Sequence, residues 1–154
     1  MAHILEGLVL VNGTDIWTEY GVFLTEEKPG GRENLDSILT PSKVKGHVGV
    51  DLRERNGKRY SAILDVKNEE RDVTLTFALY APSRAAWFTR YGEFIRFLKA
   101  GDGGWLDISF PTINVTLHVY YLQCGGFKSL SYLWGEGVHA GRFKVTFREP
   151  VPSI

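Results

Sequence analysis

The chain has 154 residues, enough for one domain that buries roughly 68–70% of its unfolded surface. Apolar residues make up 44% and aromatic residues 13%, which excludes wholesale disorder. Eighteen basic residues balance eighteen acidic ones, so the chain lacks the basic footprint of a nucleic-acid-binding protein.

Cys124 is the only cysteine, which excludes an internal disulfide and a four-cysteine zinc site within one chain. Met1–Gly7 carries no basic leader, and Glu6 interrupts its apolar stretch. No signal peptide or membrane span is therefore expected, and folding in a cytoplasm is.

In chain order, Leu8 to Val11 predicts a short strand closed by Asn12-Gly13, a hairpin signal. Asp15 to Tyr20 predicts a single helical turn before Gly21, and Val22 to Thr25 a second strand. From Glu26 to Gly46 charges, Pro29-Gly30-Gly31 and Pro41 predict a long irregular segment. Segments of that length tend to be functional or mobile, so it is expected to be an arm or contact loop. Deleting Lys28–Thr40 is then expected to weaken assembly and spare the fold.

His47 to Arg53 predicts a strand, turned at Asn56-Gly57 and paired back by Tyr60 to Val66. The clean alternation follows: Val73, Leu75, Phe77 and Leu79 on one face, Thr74, Thr76, Ala78 and Tyr80 on the other. Ser83 caps the one substantial helix expected, whose buried stripe is Trp87, Tyr91, Phe94, Ile95 and Leu98. Phe88 and Phe97 flank that stripe. Gly92 inside the helix predicts close packing, and Gly101 a left-handed end.

Strands are expected at Trp105–Phe110 and Val115–Leu122, with Gly125-Gly126 turning into Phe127–Trp134 and Gly135-Glu136-Gly137 turning again. Phe143, Val145 and Phe147 alternate in the closing strand, which Pro150 and Pro152 end. The expected fold is mainly β with one α-helix: a β-sandwich or barrel of about seven to nine strands with a single helix packed on it. One domain, 1–154, is expected to hold all of it.

No catalytic pattern emerges. His3, His47, His118 and His139 have no metal-ligand spacing. Cys124 has no nucleophile context, and a packed thiol is the expected role. Gly101-Asp102-Gly103-Gly104 follows a helix and lacks the lysine of a phosphate loop. Glu26-Glu27 and Glu69-Glu70 read as solvated pairs, while Asp102 and Asp107 could approach across a loop. Trp87 and Trp105 are expected in the core. The chain is therefore expected to be no enzyme, with no catalytic, cofactor-binding or metal site and no cofactor.

The order of elements resembles the N-terminal domain of phage distal tail proteins and, more broadly, the tail-tube-like fold of phage and prophage tail components. Trp17–Leu24, Val48–Arg53 with Asn56-Gly57 and Tyr60, Arg71–Phe77 before the helix, and Gly141–Phe147 ending at Pro150 carry it. The resemblance implies a homo-oligomeric ring, usually hexameric, around a channel for DNA. It implies other tail proteins as partners (tube, tape measure, tip or baseplate), no membrane and no sequence-specific nucleic acid. The implied location is the virion tail, assembled in the bacterial cytoplasm.

The longer family members continue into a second β domain, so a receptor-binding function is not carried over. A β-barrel or sandwich binding module for a carbohydrate or apolar ligand is the alternative, expected to show an enclosed pocket lined by Trp105, Tyr120 and Trp134. A cluster of His118 with a carboxylate in a cleft would instead point to an enzyme.

Overall fold

The computed structural model describes residues 7–25, 31–51, 53–54, 56–129 and 139–154. The chain enters through β1 (Leu10–Val11), which turns at Asn12-Gly13 into β2 (Thr14–Asp15). Both turn residues have positive φ, 51° and 81°, as a type I′ turn requires and Asn-Gly permits. Asp15 caps the short helix α1 (Ile16–Tyr20) by accepting from the Trp17 amide. Gly21 ends it in the left-handed region at φ 69°. A Cβ there would press on the Tyr80 carbonyl at 2.7 Å, so only glycine lets β3 (Val22–Leu24) depart at this angle.

Residues 26–30 lie outside the described part. Beyond them, the stretch expected to be irregular carries a second helix, α2 (Glu33–Leu39). Then come β4 (Val50–Asp51) and β5 (Lys58–Arg59), followed by β6 (Arg71–Ala81). The long helix α3 (Arg84–Ala100) starts at Ser83, whose hydroxyl accepts from the Ala86 amide, as expected. The last strands are β7 (Trp105–Phe110), β8 (Val115–Ser129) and β9 (His139–Glu149).

Seven strands form one antiparallel sheet, ordered β2-β1-β7-β8-β9-β6-β3 and curled into a half-barrel. β4 and β5 pair only with each other. The mainly β expectation therefore holds, but the single helix becomes three. α3 fills the hollow, lying across β6, β8 and β9. Val73, Leu75, Phe77 and Leu79 are fully buried beneath it, as the alternation predicted. Trp87, Phe94 and Leu98 meet them from the helix, with Tyr91, Ile95 and Phe97 partly buried beside them.

One contact seats the helix end. The Trp87 indole lies so close to Gly141 that an added Cβ would come within 2.5 Å of the ring, and its Nε1 donates to the Leu79 carbonyl at 2.9 Å. A larger residue at 141 would push the helix off the sheet.

Four expectations need correction. Gly92 faces only the flexible Arg96 guanidinium, so it marks no close backbone packing. Gly101 has positive φ, 46°, but an extended ψ of −149°, and is therefore not left-handed helical. Gly125-Gly126 does not turn the chain: β8 runs straight through to Ser129, and the pair absorbs a register shift against β9 with Gly126 at φ 65°. A glycine pair suits a bulge as well as a turn. Tyr60 to Val66 does not pair back as a strand; only Val50↔Arg59 and Asp51↔Lys58 form. The expected strand over 130–134 and the turn at Gly135-Glu136-Gly137 lie outside the described residues.

Candidate assembly surfaces

β6 bonds to β9 along its whole length but to β3 only at Phe77–Leu79. Its other edge therefore presents backbone groups that no described strand satisfies, and an open edge of this kind must be covered. α2 covers it. Ser37 accepts from the Thr74 amide at 2.8 Å, and Asn34 accepts from the Thr76 amide at 2.6 Å. Asn34 also donates to the Thr25 carbonyl at 2.8 Å, while Ile38 is buried in the core.

Arg71 closes the arrangement. One of its guanidinium nitrogens donates to the Ile38 and Thr40 carbonyls at 2.9 and 2.6 Å, satisfying the end of α2. Its Nε donates to Glu149 at 2.7 Å, with both side chains at least nine-tenths buried. Deleting Lys28–Thr40 would thus remove core residues and uncover β6; it would not spare the fold.

The next insert behaves differently. At its base, Lys45 N donates to Lys67 O at 2.8 Å and Glu69 N to Lys43 O at 2.7 Å, around a bridge between Val44 and Asn68. Asn68 then donates to the Pro152 carbonyl at 3.2 Å. Beyond that pinned base, no described residue from 45 to 67 is buried. Inside it, β4 pairs with β5 and the Tyr60 ring lies over Gly49. Yet it carries aliphatic side chains: Val48 is 94% exposed and Ile63 85%, with Val50, Leu64 and Val66 also open. An insert with a fixed base, exposed aliphatic residues and no buried residue among those described is a candidate contact arm.

A second apolar surface lies elsewhere on the molecule. A groove of about 300 Å³ is lined by Leu8, Ile16, Phe23, Leu35, Ile38 and Ile113, among others. It touches α1 after β2, β3, α2 and the turn after β7. These elements come from both ends of the strand order, so the groove runs along the seam where the curled sheet stays open.

The outer face of β7 and β8 holds most of the residues weighed for chemistry. His118 Nδ1 lies 2.7 Å from Asp107 Oδ1, with both side chains 61% exposed. Trp105 stacks on the His118 ring at 4.7 Å between centroids and meets Tyr120 edge-on at 5.7 Å. Asp107 thus finds His118 instead of Asp102, which closes the turn by exchanging backbone bonds with Trp105. Among the described residues no nucleophile touches the His118–Asp107 pair, and its two side chains are open to solvent. Trp105 is 40% exposed, a correction to its expected burial; Trp87 is the core tryptophan.

Of the residues expected to line a binding pocket, Trp105 and Tyr120 border an open depression beside Lys99 among the described residues. Trp134 lies outside the described residues, as do His3 and Glu26-Glu27. On the same face Arg148 grips Asp72 at 2.8 Å, with Glu70 at 3.6 Å.

Cys124 packs against the core, its sulfur 3.5 Å from the Tyr91 hydroxyl. Burial pushes its thiol pKa up, against smaller lowering influences from Tyr91 and Lys99, so it stays a protonated, unreactive thiol at neutral pH. Burial, then the bond to Cys124, raises Tyr91 well above the usual phenol range. Among the described residues no three His, Cys, Asp or Glu side chains converge as a metal would require, and no helix is long and apolar enough to cross a membrane.

No family model matches this chain, and no curated protein matches it. Its fold is similar to that of the crystal structure of phage SPP1 Dit protein, described as a paradigm of the hub adsorption apparatus in phages infecting Gram-positive bacteria. The TM-score is 0.57 at 13% identity, and the match covers 92% of this chain and 49% of that one. The chain thus spans about half the length of the SPP1 protein, and at this identity the likeness is one of fold.

Proposed function

We propose that the protein is a non-enzymatic structural component of a phage or prophage tail. In this reading it serves as a distal-tail or hub ring, or as a tube-type protein, and self-assembles into a ring, hexameric as the sequence resemblance implies, around the DNA channel. The fold likeness to the SPP1 hub protein over nearly the whole of this chain is the observation that carries the reading.

Two features of the molecule support it. The functional surfaces are apolar and lie on the outside, in the arm and the groove, while the His118–Asp107 pair stands open without a substrate cleft. The balanced charge suits a channel wall, since a strongly basic lumen would hold DNA phosphates. Its partners would be further copies of itself and neighbouring tail proteins, and its location the virion tail after cytoplasmic assembly.

Negative-stain imaging of the purified chain at rising concentration tests this. Closed rings with a central hole are the expected result; particles that stay single at every concentration would overturn it.

A further inference from the structure

We infer that the apolar groove is the seat for the arm of a second copy of this chain, with Ile63 and Leu64 as the inserted side chains. This names the contact behind the assembly reading and rests on that reading.

Size is the first argument. A volume of about 300 Å³ holds roughly ten groups the size of a water molecule, which is two or three branched aliphatic side chains. Ile63 and Leu64 are adjacent, exposed by 85% and 45%, and follow the hairpin tip where the chain makes no strand of its own. Within one molecule the described arm residues do not line the groove.

Charge is the second. Between residues 45 and 67 the sequence has six basic residues, Lys45, Arg53, Arg55, Lys58, Arg59 and Lys67, against three acidic ones, Asp51, Glu54 and Asp65. The helices bordering the groove are opposite in sign. Asp15 and Glu19 belong to α1 and its cap, and Glu33 and Asp36 to α2, with Arg32 the one base among them. An arm of net positive charge and groove-bordering helices of net negative charge attract between copies, while arm and arm repel.

Topology is the third. The groove follows the open seam of the sheet, and seams with unpaired edges invite added chain. Donor and acceptor are different patches of one molecule, so each contact leaves an arm and a groove free at opposite ends. Head-to-tail contacts of this kind repeat and close into a ring when the rotation allows.

The test uses the full chain with Cys124→Ser. Ile63→Cys and Ile113→Cys are made separately, mixed, and treated with a short bis-maleimide. A cross-linked dimer should form in the mixture and not with either variant alone, and the double variant should give a ladder up to the ring. No mixed cross-link while rings still form would overturn the groove contact and leave the assembly reading standing. A double variant that links only within one chain would show that each arm fills its own groove, and would also overturn it. If the wild-type chain never assembles, both readings fall.

Ile63→Asp gives an independent readout. It should raise the concentration needed for assembly at least tenfold while leaving the urea midpoint of the monomer unchanged. Unchanged assembly would overturn the proposal.

Discussion

Helix α2 and the arm at 45–67 are neighbours in sequence, and both interrupt the run of strands with charged and aliphatic residues. Their fates differ. α2 is held by the burial of Ile38 and by hydrogen bonds through Asn34, Ser37 and Arg71 to backbone groups that the β6 edge or the helix end would otherwise leave unpaired. The arm meets no such edge: its base is pinned and its length stands free. Seven residues are too short to hold a helix by propensity alone. What fixes an insert here is the unpaired backbone that the neighbouring sheet presents. An insert without that anchor keeps its aliphatic side chains exposed, as the arm does.

Breaking the anchor should give the largest effect. Arg71→Ala takes from the buried Glu149 its ion-pair partner and from the Ile38 and Thr40 carbonyls their donor. Loss of one partner from such a pair costs about 3–5 kcal/mol, a large part of the roughly 5–15 kcal/mol that holds a domain. Urea unfolding should show this as a much lower midpoint, and a midpoint within error of wild type would remove Arg71 from its role. Asn34→Ala should cost less, about 1–3 kcal/mol, because it strands the buried Thr76 amide. Its unfolding should begin with loss of protection along α2 and the first half of β6. Smallest of all, Ile63→Asp should leave monomer stability within about 0.5 kcal/mol, as exposed substitutions do. A large loss there would mean that the arm has a core after all.

The same contrast explains what the sequence could reveal. The Asn12-Gly13 turn, the Ser83 cap, the α3 stripe and the β6 alternation were legible because each signal is local. α2 was not, since its reason lies in the Thr74 and Thr76 amides some forty residues further along. Its Leu35, Ile38 and Leu39 do follow helical spacing, but the flanking prolines and glycines spoke louder. Trp105 was misjudged although strand parity was available: Leu106, Ile108 and Phe110 point inward, so Trp105 must point out. The Asp107–His118 pair needed the register of β7 on β8, which places them opposite one another and which no spacing rule supplies.

The segment at 26–46 in which an arm was expected carries α2, and the most exposed aliphatic residues lie in the next segment. Length and irregularity drew attention to 26–46, whereas Val48, Val50, Ile63 and Val66 form no buried face in their own chain. Aliphatic residues in a strand-like stretch with no partner strand of adequate length are the mark that would have found it.

Hydrogen exchange measured against protein concentration tests most directly whether the arm is built for another copy. At low concentration, amides between residues 45 and 67 should exchange freely while those of α2 and β6 are protected. On assembly, protection should appear in the arm and at Ile113 beside the groove, increase beyond its starting level at Leu35 and Ile38, and stay unchanged in α3. An arm whose amides remain unprotected in the assembled state would contradict the account.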